Sequence, residues 1–380
     1  MHTAFDKDTI ARLRGAVGAS MPFGATGAAA SIHNLDPSAL ARLNALIGEA
    51  RRIVITCHFV PDGDAIGSAL GLAHVLRSMG RHVTVIPPDE TPKTLAFLPG
   101  FDRLMPYSRY GDVAVGRFRG ADLVICLDFN ASKRVDKLER VLLECNAPKV
   151  MIDHHENPEN FVDVMISHPE SSSTSILVYD VLRSLGLDCY IDAEAADCLL
   201  TGMMTDTGNF TYNANNPSIY LAVADLVAHG ADRVKLCKLI FDTFSESCLR
   251  INGYALSEKM HVFRDYKASY MALTRDELNS FHYAKGDTEG LVNKPLAIPG
   301  IVYSAYFREE KEYIKVSMRS VGKFRVDLLC EQYFGGGGHK NAAGGEFHGT
   351  MEECIATFEA LMPTNLERFT ESEESTEEKM

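Results

Sequence analysis

Ile53-Val54-Ile55-Thr56-Cys57 runs directly into His58-Phe59-Val60-Pro61-Asp62-Gly63-Asp64, and that turn into residues 65–79, whose apolar positions recur at helical spacing before Gly80. The first block reads as a buried strand, the last as a helix with a glycine stop. One imidazole and two carboxylates therefore sit on a strand-to-helix turn. In an open parallel sheet such turns lie at the carboxyl edge, where ligands bind. Pro61 and Gly63 suit a tight turn that points both Asp side chains the same way. A lone Asp-Gly-Asp would more often be an Asx-type turn, with Asp64 capping the next helix. His58, four residues before Asp62, and the recurrence of Asp and His at later strand ends favour chemistry instead.

The alternation continues. Residues 83–86 read as a second strand, 123–127 as a third ending in Asp128, and 149–152 as a fourth ending in Asp153-His154-His155. Residues 134–144, 172–185 and 193–204 have helical periodicity, the last leading into Thr205-Asp206-Thr207-Gly208. Asp36-Pro37 reads as an N-cap with proline at the first helical position. The expected fold is α/β: a mainly parallel sheet flanked by helices over 35–255, a linker at 256–268, and a smaller α+β domain over 269–363. Residues 1–34, rich in Ala and Gly, are expected to be a poorly ordered extension with one short helix. Residues 364–380 are expected to be a solvated acidic tail. A chain of 380 residues supports two cores.

The formal net charge of -13 argues against long nucleic acid tracked through a basic groove. It leaves room for a short phosphorylated ligand held by metal ions, because bound cations reverse the local field. Nine cysteines, with no CxxC pair, read as reduced thiols in a cytoplasmic protein. No apolar run reaches membrane-spanning length, and no signal peptide is recognisable.

His58, Asp62, Asp64, Asp128, Asp153, His154, His155 and Asp206 all fall at strand or helix ends. So many carboxylates and imidazoles on one edge would be costly without a counter-ion. Mixed oxygen and imidazole ligands suit Mn²⁺, with Mg²⁺ and Co²⁺ as alternatives, and the absence of thiolate argues against structural zinc. In this order the motifs resemble those of the DHH phosphoesterase superfamily, whose triplet stands here as Asp153-His154-His155. Gly335-Gly336-Gly337-Gly338-His339-Lys340-Asn341-Ala342-Ala343-Gly344 resembles the DHHA1 type of second domain. Pro61 to Ser68 and Thr205 to Phe210 are most similar to the nano-RNase and pAp phosphatase subfamily. The resemblance implies an active site in the cleft between the domains. It implies one metal held by His58, Asp62 and Asp128 and another by Asp64, Asp128, His154 and Asp206, with Asp128 bridging. Asp153 would orient a neighbouring imidazole, and His155 would face the substrate phosphate.

A glycine run lets backbone N–H groups approach an anion. Gly336, Gly337 and Gly338 are candidates, with His339 after them and Arg319-Ser320 at a strand end. In the family, equivalents of Arg319 and His339 hold the substrate's other phosphate or nucleotide. The implied activity is hydrolysis of short oligoribonucleotides and of 3′-phosphoadenosine 5′-phosphate (pAp), with pApA as a further substrate and homodimer formation allowed. Cyclic-dinucleotide hydrolysis shares the metal site, pyrophosphatase activity is disfavoured by the second domain, and a non-catalytic nucleotide-binding module would have lost a ligand. Tyr212 and Phe210 are read as core aromatics or base-stacking groups, and Ser172, Ser173 and Thr174 as helix caps.

Overall fold

The structure, a computed structural model, describes residues 32–370. The short helix and disorder expected within 1–31, and the tail beyond 370, lie outside the described residues. The chain divides into two units, the first ending at Thr243 and the second beginning at Phe244.

The first unit contains α1 (Pro37–Glu49), β1 (Arg52–Thr56), α2 (Gly63–Ser78), β2 (His82–Val85), α3 (Tyr107–Arg119), β3 (Leu123–Leu127), α4 (Glu139–Glu144), β4 (Lys149–Asp153), β5 (Val164–Ser167), α5 (Thr174–Ser184), α6 (Ala193–Asp206), α7 (Pro217–Ala228) and α8 (Arg233–Phe241). The strands form one sheet in the order β2-β1-β3-β4-β5, every pair parallel. Alternate residues of the central strands feed two cores. Ile53, Ile55 and Ile125 pack with α2, α5 and α6, while Val54, Val124 and Cys126 pack with Phe118 and Leu142 on the other face. The strand order reverses between β1 and β3, whose connections leave toward opposite faces. A crevice therefore opens at their carboxyl ends, where His58 and Asp128 stand.

Helices α2 and α6 touch backbone to backbone. A Cβ on Gly67 would lie 2.6 Å from the Cys198 carbonyl oxygen and 2.8 Å from the Gly202 nitrogen. This approach needs glycine, and it sets the end of α6, with Asp206, beside the start of α2, with Asp64. Asp36 caps α1 as expected. The helix expected over 134–144 is broken: a 3₁₀ stretch, Ser132–Leu138, precedes α4, and Asp136 interrupts it at φ 47.

The second unit contains α9 (Glu246–Glu258), β6 (Met260–Phe263), β7 (Ala268–Leu273), α10 (Arg275–Ser280), β8 (Tyr303–Glu309), β9 (Ile314–Ser320), α11 (Val326–Tyr333), β10 (Gly336–His339), β11 (Ala342–Phe347) and α12 (Met351–Phe369). Its sheet runs β10-β11-β9-β8-β7-β6, with only β7 and β8 parallel. One face is packed by α11 and α12 through Phe334 and Phe358. On the other, Ile251 and Ala255 of α9 cover Met271, Leu273 and Tyr306. That packing explains why the division falls before α9 rather than at 255–268, and β6 occupies the expected linker. Helix α12 also continues past 363, burying Asn365 and Phe369 where a solvated tail was expected.

Candidate metal centre and groove

The turn after β1 carries His58, whose Nδ1 lies 2.9 Å from the Phe59 carbonyl oxygen. With that nitrogen donating, Nε2 is left facing Asp128 Oδ2 at 3.5 Å and Asp62 Oδ1 at 3.8 Å. The loop after β4 carries His154, held through Nδ1 by the Ser171 carbonyl at 3.1 Å. Its Nε2 is 3.5 Å from Asp128 Oδ1 and 3.5 Å from Asp206 Oδ2. Asp128 thus has His58 against one oxygen and His154, with His155 Nδ1 at 3.9 Å, against the other, at separations longer than good hydrogen bonds. Donor atoms of His58, Asp62 and Asp128 lie within 4.8 Å of one another, as do those of Asp64, His154 and Asp206, and those of Asp128, His154 and His155. All six residues expected as metal ligands are brought together.

The fold holds this cluster rigidly. Asp128 has φ 65, the left-handed region that a non-glycine residue occupies only where its surroundings impose it. Asp62 caps α2 by accepting from the Asp64 and Ala65 amides at 3.0 Å, so the cap is Asp62 rather than Asp64. Asp64 is instead buried against the start of α5: it accepts from the Thr174 amide at 2.6 Å and the Ser175 amide at 2.9 Å. A helix N-terminus favours an anion there. The Thr174 hydroxyl donates to Asp128 Oδ1 at 2.8 Å. Ser173 alone of the expected caps makes the capping bond, to the Ile176 amide. Asp153 is buried and accepts from His155 twice, from Nδ1 at 2.7 Å and from the amide at 3.1 Å.

Charge is unbalanced in this cluster. Among the described residues no lysine or arginine forms an ion pair with Asp62, Asp64, Asp128 or Asp206; imidazoles pair with Asp62, Asp128 and Asp206. Burial opposes protonation of His58, but Asp128 and Asp62 overcome it and hold the pKa near about 11. Burial likewise opposes His154, whose pKa is raised to about 9 by Asp128, Asp206 and Asp64. Burial pushes Asp206 up to about 7 and, with the charges of Asp128 and Asp206, pushes Asp64 well above the carboxylate range. Asp128 is held low despite its burial, because three imidazoles surround it. Clustered carboxylates that retain protons for want of positive charge fit a divalent cation.

Sequence reasoning missed Thr174 and Ser175 as carboxylate holders, Ser171 as the anchor of His154, and Arg134. Five hydroxyl residues in a row, Ser171 to Ser175, exceed what one cap requires, and that excess was the available signal.

In the second unit, the pleat of β9 turns Lys315, Ser317 and Arg319 to one face and Ile314, Val316, Met318 and Ser320 to the buried one. Arg319 stands opposite Ala342, and Ala342 opposite His339, so Arg319 and His339 share a row across three strands. A groove of about 780 Å³ is lined by Arg308, Lys315, Ser317, Arg319, Gly337 and Gly344, among others. Ser320 is not part of it. Its hydroxyl, on the opposite face, donates to the Phe324 carbonyl at 2.7 Å and accepts from Asn341 at 2.8 Å. The glycine run is an edge strand rather than a loop. A Cβ on Gly336 or Gly338 would strike the backbone of β11, whereas Gly337 meets nothing closer than Glu331 at 3.9 Å. Of the three, only Gly337 opens on the groove. Tyr212 is exposed and Phe210 half-buried against the first core.

No helix of the described residues is long and apolar enough to cross a membrane. A model described as the DHH family, N-terminal domain, matches residues 52–203, and one described as the DHHA1 domain matches residues 268–364. The bifunctional oligoribonuclease and PAP phosphatase NrnA of Thermus thermophilus is 31% identical over 299 residues, covering 78% of this chain and 84% of its own. The cyclic-di-AMP phosphodiesterase GdpP of Geobacillus thermodenitrificans is 27% identical, over 79% of this chain but only 45% of its own length. The crystal structure of an exopolyphosphatase-related protein from Bacteroides fragilis has a TM-score of 0.86 at 44% identity, covering 87% of this chain and 97% of its own. This chain therefore belongs to the DHH family of phosphoesterases, with a DHH domain followed by a DHHA1 domain.

Proposed function

We propose that this chain is a two-metal phosphoesterase that cleaves short oligoribonucleotides to mononucleotides and pAp to AMP and phosphate. The observation that carries the reading is Asp128, with an imidazole against each carboxylate oxygen and a triad of donors on either side. His58, Asp62 and Asp128 would hold one divalent ion, and Asp64, Asp128, His154 and Asp206 the other. Oxygen and imidazole donors without thiolate favour manganese, with magnesium and cobalt as alternatives. When bound, such ions lower the pKa of water and stabilise the oxygens of the phosphate under attack. The protein's own part is to fix that geometry. Thr174 and Ser175 aim Asp64 and Asp128, Ser171 aims His154, and Asp153 locks the ring of His155.

Arg319 and His339 would grip the substrate's far phosphate or nucleotide, with the Gly337 backbone at the groove floor. A net charge of -13 leaves affinity to such local contacts, which favours short ligands over long ones. Nine unpaired thiols support a reducing, cytoplasmic setting.

The likeness to NrnA supports the oligoribonuclease reading, and the likeness to GdpP supports a second one, hydrolysis of cyclic or linear dinucleotides. A panel of pAp, pApA, a 5-mer, a 24-mer, c-di-AMP and pyrophosphate with Mn²⁺ separates them. Fastest turnover of pAp and the shortest RNAs is expected. Fastest turnover of c-di-AMP would transfer the assignment to the second reading, and equal rates on the 24-mer at equal concentration of ends would remove the length preference.

A further inference from the structure

The imidazole of His155 is committed on both nitrogens. Nδ1 donates to Asp153 at 2.7 Å, which leaves Nε2 as the acceptor. Arg134 Nη2 lies 3.1 Å from that Nε2. A guanidinium has donors only, so the direction of this bond is fixed. His155 thus offers no proton outward; its outer nitrogen steers Arg134.

Arg134 is itself exposed and makes no ion pair among the described residues. An arginine held by a histidine, rather than neutralised by a carboxylate, keeps its charge and its remaining N–H groups for something else. Both polar groups of its backbone are held. The Arg134 carbonyl accepts from the Phe59 amide at 2.7 Å, beside His58, and the Arg134 amide donates to Ala131 at 3.0 Å. Asn130 ties the same loop to the one after β4, donating to the Glu156 carbonyl at 2.6 Å and accepting from the Glu159 amide at 2.7 Å. The other side of the His155 ring lies against the cluster, Nδ1 being 3.9 Å from Asp128 Oδ1. The guanidinium is therefore one imidazole away from Asp128, which belongs to two of the three donor groups.

We propose that Arg134 is a catalytic residue that donates to a non-bridging oxygen of the phosphate being hydrolysed, with His155 as its positioning residue. This rests on the phosphoesterase reading above. Phosphoryl transfer spreads negative charge over the non-bridging oxygens, and a planar guanidinium matches two of them at once. Asp153, His155 and Arg134 would act as one relay of hydrogen bonds, each fixing the next.

The test compares wild type with Arg134→Ala and Arg134→Lys, all loaded with Mn²⁺. Wild-type hydrolysis of pAp or bis-p-nitrophenyl phosphate is the control; if it is absent, it is the phosphoesterase reading that fails. In Arg134→Ala, kcat should fall by about 10²- to 10³-fold on both substrates, since both present the same phosphate to the centre. Arg134→Lys should recover part of that loss by restoring charge without the fork. Bound metal and melting temperature should not change, because the side chain is exposed. Inorganic phosphate, measured by calorimetry on the loaded protein, should bind at least about tenfold more weakly to the alanine variant. Rates within about threefold of wild type, or unchanged phosphate affinity, would overturn the proposal. So would loss of metal in parallel with activity, which would make Arg134 a structural prop for His155.

Discussion

The two candidate regions are built on opposite plans. The centre in the first unit has Asp64 and Asp128 buried beneath the more open Asp62 and Asp206, and its carboxylates and imidazoles are aimed by backbone: a left-handed Asp128, the N-terminus of α5, the carbonyls of Phe59 and Ser171. The groove in the second unit is a strand face, and its cations stand where the pleat of β9 puts them. Chemistry at a phosphate needs fixed, desolvated charge, and rigidity is the means. Recognition of a ligand's far end needs reach, and the half-buried Arg308 and Arg319 with the exposed Lys315 supply it. The difference predicts that damage to the first region removes turnover, whereas damage to the second changes which ligand is turned over.

The largest effect should come from Asp128→Ala. Activity on every substrate should fall by several orders of magnitude, on the scale of metal-ion catalysis, in a protein that remains folded. Near-normal turnover with unchanged metal content would remove the centre from the account. Next is the pH dependence of metal binding. In the metal-free protein the surrounding carboxylates hold His58 and His154 in their protonated forms, and burial raises the Asp206 carboxyl to about 7. Ligation requires these protons to leave, so Mn²⁺ affinity should rise with pH between 6 and 8. Calorimetry in buffers of different ionisation enthalpy counts the protons released. A flat affinity would contradict the charge assignment.

A smaller loss is expected from Thr174→Val, which deletes the hydroxyl on Asp128 and keeps the amide on Asp64. Metal affinity should drop by about 10- to 100-fold, the scale for a group that orients a ligand. No change in a metal titration would show that the hydroxyl only fills space. The smallest functional effect is expected from Ser320→Ala. KM for pAp should stay within about twofold, while chemical denaturation should find about 1 kcal/mol less stability from the lost bonds to Phe324 and Asn341. A KM rise without loss of stability would return Ser320 to the groove.

What was legible in the sequence was local. Apolar blocks ending in Asp or His give strands and strand ends directly, so His58, Asp128 and Asp153-His154-His155 fall where they were expected. Asp206 was legible only as a helix end. Its partner across the centre, Asp64, is set by the close contact of Gly67 with Gly202, which shows in sequence only as glycines four apart, Gly63, Gly67 and Gly71. Thr174, Ser175 and Arg134 could not be found by spacing, because each acts on a residue brought near by the fold. Ser320 illustrates the period of two: one residue from Arg319, it lands on the other face. The broken helix at Asp136 went unseen because apolar periodicity carries no signal for a single left-handed residue.

The division of labour between the two regions is tested most directly by Arg319→Ala, assayed in parallel on pAp and on bis-p-nitrophenyl phosphate with metal content recorded. The account predicts a KM for pAp raised by about 10- to 100-fold, undiminished metal, and little change on the small diester, which cannot reach the groove. Loss of metal, or loss of both activities in parallel, would place Arg319 in the catalytic centre and contradict it.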